Sequence, residues 1–434
     1  MSNEPKIYSF PLERRNWSSG LTSAATAAEI LDIIRNRGEI SRAELSSITG
    51  LSRSTISQHV DRLAELGLVV ESGKAESRGG RRAHLIRFHN DGGYVLAIDL
   101  GATSLDVAIA NQGAEPLFVH SEDADVSDGP EPILSRIIEV SRDLARQLGI
   151  NVAQLKGIGM GVPGPVEFSS GQPVVPPIMP GWDRYPIRDV LEKEFSCPAY
   201  VDNDVNIMAL GEQWAGLGRG VDNFIFIKIG TGIGAGIVCQ GRLYRGTQGC
   251  AGDVGHIGID HVDAICSCGN RGCLEILAAG PAIARRAEEA ALGGKTRVLA
   301  KMLEERGRLT SKDVGLAASK GDPVSIEIIR ESGRLVGQVL AKLINFFNPS
   351  LVVFGGGVTN VGDILLASIR EAIYSRSLPL ATRNLSIQRS ALGGRAGIIG
   401  AAALVLEQLF SPRRVARVMS TRATVATATE NERV

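Results

Sequence analysis

The chain has 434 residues, 44% of them hydrophobic and 22% charged, with 47 basic and 47 acidic side chains in balance. That mixture reads as soluble and globular and is long enough for two or three cores, while zero net charge excludes a globally basic nucleic-acid binder. No apolar run approaches the roughly 20 residues of a membrane span, and Met1 to Ser23 shows no secretion signal, so a cytoplasmic protein with no membrane partner is expected.

Residues 1–22 and 411–434 are poor in bulky apolar side chains and are expected to be flexible. Residues 23–90 alternate short helical patterns with a closing strand pair. Thr26 to Arg37 sets Ile30, Ile33 and Ile34 on one helical face. Ser41 with Glu44 is a capping box that starts a second helix, which ends at the Thr49-Gly50 turn. Ser52 caps a third helix, where Ile56, Val60, Leu63 and Leu66 recur at three- and four-residue steps and face the core. The opposite face offers Arg53, Ser54, Thr55, Ser57, Gln58, His59 and Arg62, side chains that reach phosphates and base edges in a major groove. Strand Leu68–Glu71, a Gly turn carrying Arg78, Arg81 and Arg82, and strand His84–Phe88 form a basic wing. Between Arg35 and Asn90 ten basic residues stand against six acidic ones, a local excess on a neutral chain. This order of parts predicts a winged helix-turn-helix domain (α+β) whose partner is double-stranded DNA; a small helical domain with a solvated polar face is the plainer alternative.

In residues 91–410 apolar strands end in Gly-rich loops and are separated by helices, the texture of an α/β domain, here of two lobes. Strands are predicted at Tyr94–Leu100, Gly157–Val162, Phe224–Ile229, Gly236–Cys239 and Leu351–Phe354, and a long helical stretch from Pro281 to Asn348. Three strand ends suit a nucleotide. Asp99, Gly101 and Thr103 would hold phosphates, the Asp through hydrated magnesium. Gly230, Thr231 and Gly232, opening a glycine run to Gly236, would form the other jaw, and Gly355-Gly356-Gly357 would support an adenosine. Turns needed only for tight packing are the competing reading. Between the first two loops lies Val201-Asp-Asn-Asp-Val-Asn206. There Asp204 suits the acceptor of a sugar hydroxyl proton and Asn203 a partner of neighbouring hydroxyls, although an Asx-rich turn uses the same residues.

The chain has six cysteines, of which Cys266, Cys268 and Cys273 fall within eight residues, preceded by His256. Four soft ligands match a closed, structural zinc site that would pin the loops bearing Asp253, His256 and Glu275 around a sugar. Reduced free thiols, or His261 as the fourth ligand, are the alternatives.

The segments LAIDLGATS, GIGMGVPGPVE, PGW at Pro180–Trp182, VDNDVN, IGTGIGAGI, AGDVGH, CSCGNRGCLE and VVFGGG span Leu96 to Gly357. Together they resemble the ROK family, which groups bacterial repressors and sugar kinases on one actin-like fold. Kinase members generally lack a winged helix, so the residues before Asn90 resemble those of the family's sugar-responsive regulators. The resemblance implies sugar contacts by Asn203, Asp204, His256 and Glu275, with Asp204 as the base of active kinases. It also implies zinc on His256, Cys266, Cys268 and Cys273, and nucleotide phosphates at Asp99, Gly101, Thr103 and Thr231. Three departures stand out: Asp253 where kinases usually carry Glu, Ser104 where the first phosphate loop usually has Lys, and Ile178 where an Asn commonly precedes PGW.

Two functions are expected to compete. In the first, a homodimer or homotetramer grips a near-palindromic operator, and a sugar or sugar phosphate in the cleft shifts operator affinity, as in a repressor of carbohydrate genes. In the second, the chain is an ATP- and magnesium-dependent sugar kinase, or a bifunctional regulator-kinase, with Asp204 as base. Zinc as the sensed signal is a weaker third, because a closed Cys-rich site holds its metal.

Overall fold

The computed structural model describes residues 23–74, 84–411 and 414–415. Arg78, Arg81 and Arg82, residues 1–22 and most of 411–434 lie outside them. The chain forms two compact units. One holds the described residues up to Val95 with Ala110–Glu115 and the described residues from Val405 on; the other holds Leu96–Ile109 and Pro116–Leu404.

The first unit contains α1 (Ser23–Arg37), β1 (Ile40–Ser41), α2 (Arg42–Thr49), α3 (Arg53–Glu65), β2 (Val69–Lys74) and β3 (His84–Phe88). Its three strands lie in the order β1-β3-β2, with antiparallel pairing. The Ser41–Glu44 capping box is formed in both directions, and Gly50 closes α2 in the left-handed region at φ 72°. Ser52 caps α3 by accepting from the Thr55 amide, and Ile56, Val60 and Leu63 are buried with Ile30, Ile34, Leu45 and Ile86. One expectation is corrected: His59 is 5% exposed and belongs to the core face. It lies three residues after Ile56 and four before Leu63, so helix periodicity puts it inward. Burial lowers its pKa, and the Arg62 charge lowers it further. In the same unit the Arg35 guanidinium stands 5.7 Å from the Phe88 ring and 5.4 Å from that of Phe410, and those rings meet edge-on at 5.1 Å.

The second unit is built on two five-stranded sheets. In the first, β4 (Tyr94–Leu100), β5 (Ser104–Asn111) and β6 (Pro116–Asp123) are followed by α4 (Pro130–Gln147) and β7 (Leu155–Val162). The short pair β8 (Val166–Glu167) and β9 (Gln172–Pro173), α5 (Ile187–Phe195), β10 (Ala199–Asn203) and α6 (Asp204–Ala215) come next. The second sheet starts with β11 (Phe224–Ile229), β12 (Ile233–Cys239) and β13 (Arg242–Tyr244). Then come α7 (Leu274–Ala278), α8 (Gly280–Leu292), α9 (Arg297–Arg306), α10 (Ser311–Ser319) and α11 (Pro323–Phe347). The chain continues through β14 (Leu351–Gly355), α12 (Asp363–Arg376), α13 (Pro379–Thr382), β15 (Ser386–Arg389) and α14 (Arg395–Leu409). The strand orders are β6-β5-β4-β7-β10 and β13-β12-β11-β14-β15. Each sheet is thus three consecutive strands followed by two more on the other side of the first. This duplicated α/β topology is the actin-like fold, with the repeat in topology and not in residue spacing.

Side-chain alternation along β11 decides what packs on each face. Ile225, Ile227 and Ile229 join a core with Leu277, Ile283, Val339 and Val352, whereas Phe224 and Phe226 pack with Val205 and Ala209 of α6. Each of those fully buried phenylalanines contributes roughly 1.5–3 kcal/mol of apolar burial. Gly236 is required by the same contact, since a Cβ there would fall 2.5 Å from that of Ala209. The run Gly230–Gly236 therefore has two jobs: its first part lines the cleft described next, and its last part lets α6 lie close on β12.

Candidate functional site

A cleft of about 1470 Å³ opens within the second unit. Its walls include Gly101–Ser104 from the β4–β5 turn, Asn203–Asn206, Lys228, Gly230–Ala235, Gly249–Asp253, Arg308–Lys312 and Gly357. Asn203, Asp204, Asp253, His256 and Glu275, the residues expected to contact a sugar, all border it.

Asn203 caps α6. Its Oδ1 accepts from the Val205 and Asn206 amides at 2.9 and 3.3 Å, and its Nδ2 donates to the Gly164 carbonyl at 3.0 Å. The Asx turn is therefore present, and it leaves Asn203 one amide hydrogen for a ligand. Asp204 is 4% exposed as the first residue of α6; its Oδ1 accepts from the Val205 amide at 2.8 Å, and the Lys228 ammonium donates to its Oδ2. Glu275, in the first turn of α7, reaches back to accept from the Ile233 amide at 3.0 Å. Gly232 permits that approach: a Cβ there would stand 2.5 Å from Glu275 Oε2.

Next to this lies a cluster of four soft donors. One ligand atom each of His256, Cys266, Cys268 and Cys273 falls within 4.8 Å of all the others. Cys268 and Cys273 sulfurs are 3.6 Å apart, and Cys266 Sγ is 3.7 Å from His256 Nδ1. A tetrahedral metal with bonds of about 2.3 Å to sulfur requires edges of about 3.8 Å, so the donor set fits. His256, not His261, is the fourth member, and its Nε2 points to the Asp253 side, 3.9 Å from Oδ1. Cys273 precedes α7 directly, so the cluster and Glu275 share one rigid start of a helix.

The nucleotide positions divide. Gly101, Thr103, Gly230, Thr231 and Gly232 line the cleft, whereas Asp99, Gly355 and Gly356 do not, and Gly357 with Val358 takes the place expected of the latter two. Gly356 is a packing glycine at φ 90°, where a Cβ would meet the Ile229 carbonyl at 2.4 Å. Asp99 is 6% exposed, its Oδ1 has no hydrogen-bond partner, and burial pushes its carboxyl up to about 7; Lys228 opposes that rise while Asp204 and Asp106 add to it. Such a carboxyl contributes stability that is complete below about pH 4 and lost as the pH rises through about 7, on the order of 4 kcal/mol. Asp99→Asn is expected to remove that slope. The melting temperature of the variant relative to the parent should then grow by roughly 5–10 °C between about pH 5 and pH 8. Parallel pH profiles of the two proteins would contradict this.

In the first unit α3 presents Arg53, Ser54 and Gln58 exposed, with Thr55, Ser57 and Arg62 half-buried. Ser54 and Thr55 hydroxyls lie 2.8 Å from the capping Ser52 hydroxyl, so Arg53 and Gln58 are the longer side chains left to reach outward from that end. An Arg42–Asp61 ion pair at 2.8 Å ties α2 to α3.

Sequence reasoning missed Lys228, although a lone lysine in the strand FIFIKI was its signal. It also missed Arg245, which donates to the buried Asp202 at 2.7 Å and stacks 4.1 Å over Phe168. Strands β5 and β6 went unassigned; the apolar run of β6 is short, Pro116 to Val119, and none of its residues is buried.

A winged helix-turn-helix head on an actin-like domain with an acid-lined cleft defines the class of sugar-linked transcriptional regulators. The ROK family matches residues 95–408 and the MarR family residues 19–83. The chain belongs to the ROK family. It is 33% identical to the xylose repressor of Caldicellulosiruptor bescii over 389 residues, 88% of this chain and 95% of that protein. Among solved structures it is similar to a ROK family transcriptional regulator described as a homolog of the E. coli MLC protein, at 29% identity and TM-score 0.78, covering 91% of this chain and 99% of that one. A ROK family glucokinase from Streptomyces griseus in complex with glucose and AMPPNP matches at 29% identity and TM-score 0.63, covering 72% of this chain and 99% of the kinase. No helix among the described residues is long and apolar enough to cross a membrane.

Proposed function

We propose that this chain is a cytoplasmic repressor of carbohydrate genes that grips a near-palindromic operator as a homodimer or homotetramer and releases it when a sugar enters the cleft. The observation that carries this reading is the coexistence in one chain of a capped, polar-faced α3 with a cleft bordered by Asn203, Asp204, Asp253, His256 and Glu275. The repressor relative, matched along 95% of its length, supports the same combination. Arg53, Ser54, Thr55, Ser57, Gln58 and Arg62 contact the duplex, with Arg78, Arg81 and Arg82 adding phosphate or minor-groove contacts. Zinc on His256, Cys266, Cys268 and Cys273 is structural: the thiol and imidazole donors fit it, and the four protein ligands leave no open position for catalysis.

A sugar that binds only the folded chain raises its melting temperature, so a thermal-shift screen of the full-length protein against monosaccharides names the effector. The Asp204→Ala variant is expected to lose that shift. If no sugar or sugar phosphate moves the melting temperature, the cleft is not a sugar site.

The kinase reading retains one specific support, the Gly230-Thr231-Gly232 lining beside Asp204. Against it stand Ser104 in the first loop and the engagement of Asp204 Oδ2 by Lys228. ADP release with ATP, magnesium and the sugar from the screen decides between them: turnover no higher than that of Asp204→Asn eliminates phosphoryl transfer.

A further inference from the structure

β11 carries five apolar residues and one lysine. Alternation places Lys228 on the face of Phe224 and Phe226, toward α6, where its ammonium meets Asp204 at the first turn of that helix. The pair is shielded, with side chains 19% and 5% exposed. An ammonium so placed is costly unless matched by opposite charge. Burial pulls the Lys228 pKa down, and the Asp204 and Asp99 carboxylates more than offset it, so the group is charged.

An ammonium offers three donors, and Asp204 takes one. Asp204 in turn has lone pairs beyond those used by Lys228 and the Val205 amide. Both residues border the cleft, so a fixed donor and a fixed acceptor stand side by side at its wall. A hydroxyl group is both acceptor and donor and complements such a pair. An anionic group does not, because the Asp204 carboxylate already matches the ammonium and would repel an anion.

We propose that Lys228 is a specificity-determining residue of the cleft, which with Asp204 reads one neutral sugar hydroxyl as acceptor and donor at once. The inference rests on the cleft being a sugar site, and the test separates the two. Full-length parent, Lys228→Met and Lys228→Gln are titrated calorimetrically with D-glucose, D-xylose and N-acetylglucosamine, then with the monodeoxy analogues of whichever sugar binds. In the parent, removal of one particular hydroxyl is expected to weaken binding about tenfold or more. In Lys228→Met the intact sugar should weaken by a similar factor, and that one deoxy position should then matter less than about twofold, while the other positions keep their parent ratios. Lys228→Gln, which restores a neutral donor, should recover part of the discrimination and carries the test if the Met variant does not fold. Unchanged discrimination at every hydroxyl, or uniform weakening of all analogues, overturns the proposal alone. Failure of every sugar to bind the parent overturns the sugar reading and this inference with it.

Discussion

Cys273→Ser is expected to strip the chain of about one zinc, to lower its melting temperature by about 10 °C or more, and to weaken sugar binding about 100-fold. The expectation follows from where the cysteine sits. Cys273 is fully buried and opens α7, two residues before Glu275, whose carboxylate ties that helix to the start of β12. Its sulfur and those of Cys266 and Cys268 surround His256, whose other nitrogen faces Asp253. Removing one ligand frees the loop from Cys266 to Cys273, and with it Cys268 and Asn270 of the cleft wall. Cys239→Ser is the matched control, since Cys239 is a free cysteine outside both the cluster and the cleft wall. Elemental analysis, thermal melts and calorimetry of the two variants give the three readouts. A Cys273→Ser protein that keeps its zinc, or binds sugar as the parent does, would remove the metal from the account.

The second large effect lies on α3. Gln58→Ala and Arg53→Ala should each weaken operator binding by about 1–3 kcal/mol, a factor of roughly 5 to 150, with melting temperatures unchanged. Both side chains are exposed, so truncating them leaves no cavity. Their effects should differ in kind. A base-reading Gln58 costs affinity at one base pair and relaxes the preference there. A phosphate-binding Arg53 costs affinity on every sequence and lowers the salt slope by about one. Anisotropy titrations on operator and scrambled duplexes at two salt concentrations separate these outcomes. Parent-like affinity in both variants would mean that α3 is not the recognition helix.

How much of this was legible in residue order depended on the range over which each feature is decided. Strands β3, β4 and β11 stand where the apolar runs place them, and the Ser41–Glu44 box and Ser52 cap form as their side chains dictate, because these are local choices. The zinc-type donors were legible for the same reason, being close in sequence. His59 was misplaced by residue type: a histidine was counted as polar surface although its spacing from Ile56 and Leu63 put it inside. The glycines were harder. Gly232, Gly236 and Gly356 each exist for contacts with Glu275, Ala209 and Ile229, partners distant in sequence, so loop composition alone could not separate a phosphate cradle from a packing requirement. The Lys228–Asp204 pair likewise exists only once β11 and α6 are stacked.

One titration tests the link between cleft and DNA head most directly: fluorescence-labelled promoter duplex against the full-length chain, with and without the sugar that raises its melting temperature. Saturating sugar is expected to weaken operator binding at least tenfold in the parent and to change nothing in Asp204→Ala, which should still bind the duplex. Equal affinity with and without sugar in the parent would contradict the link between cleft and DNA head.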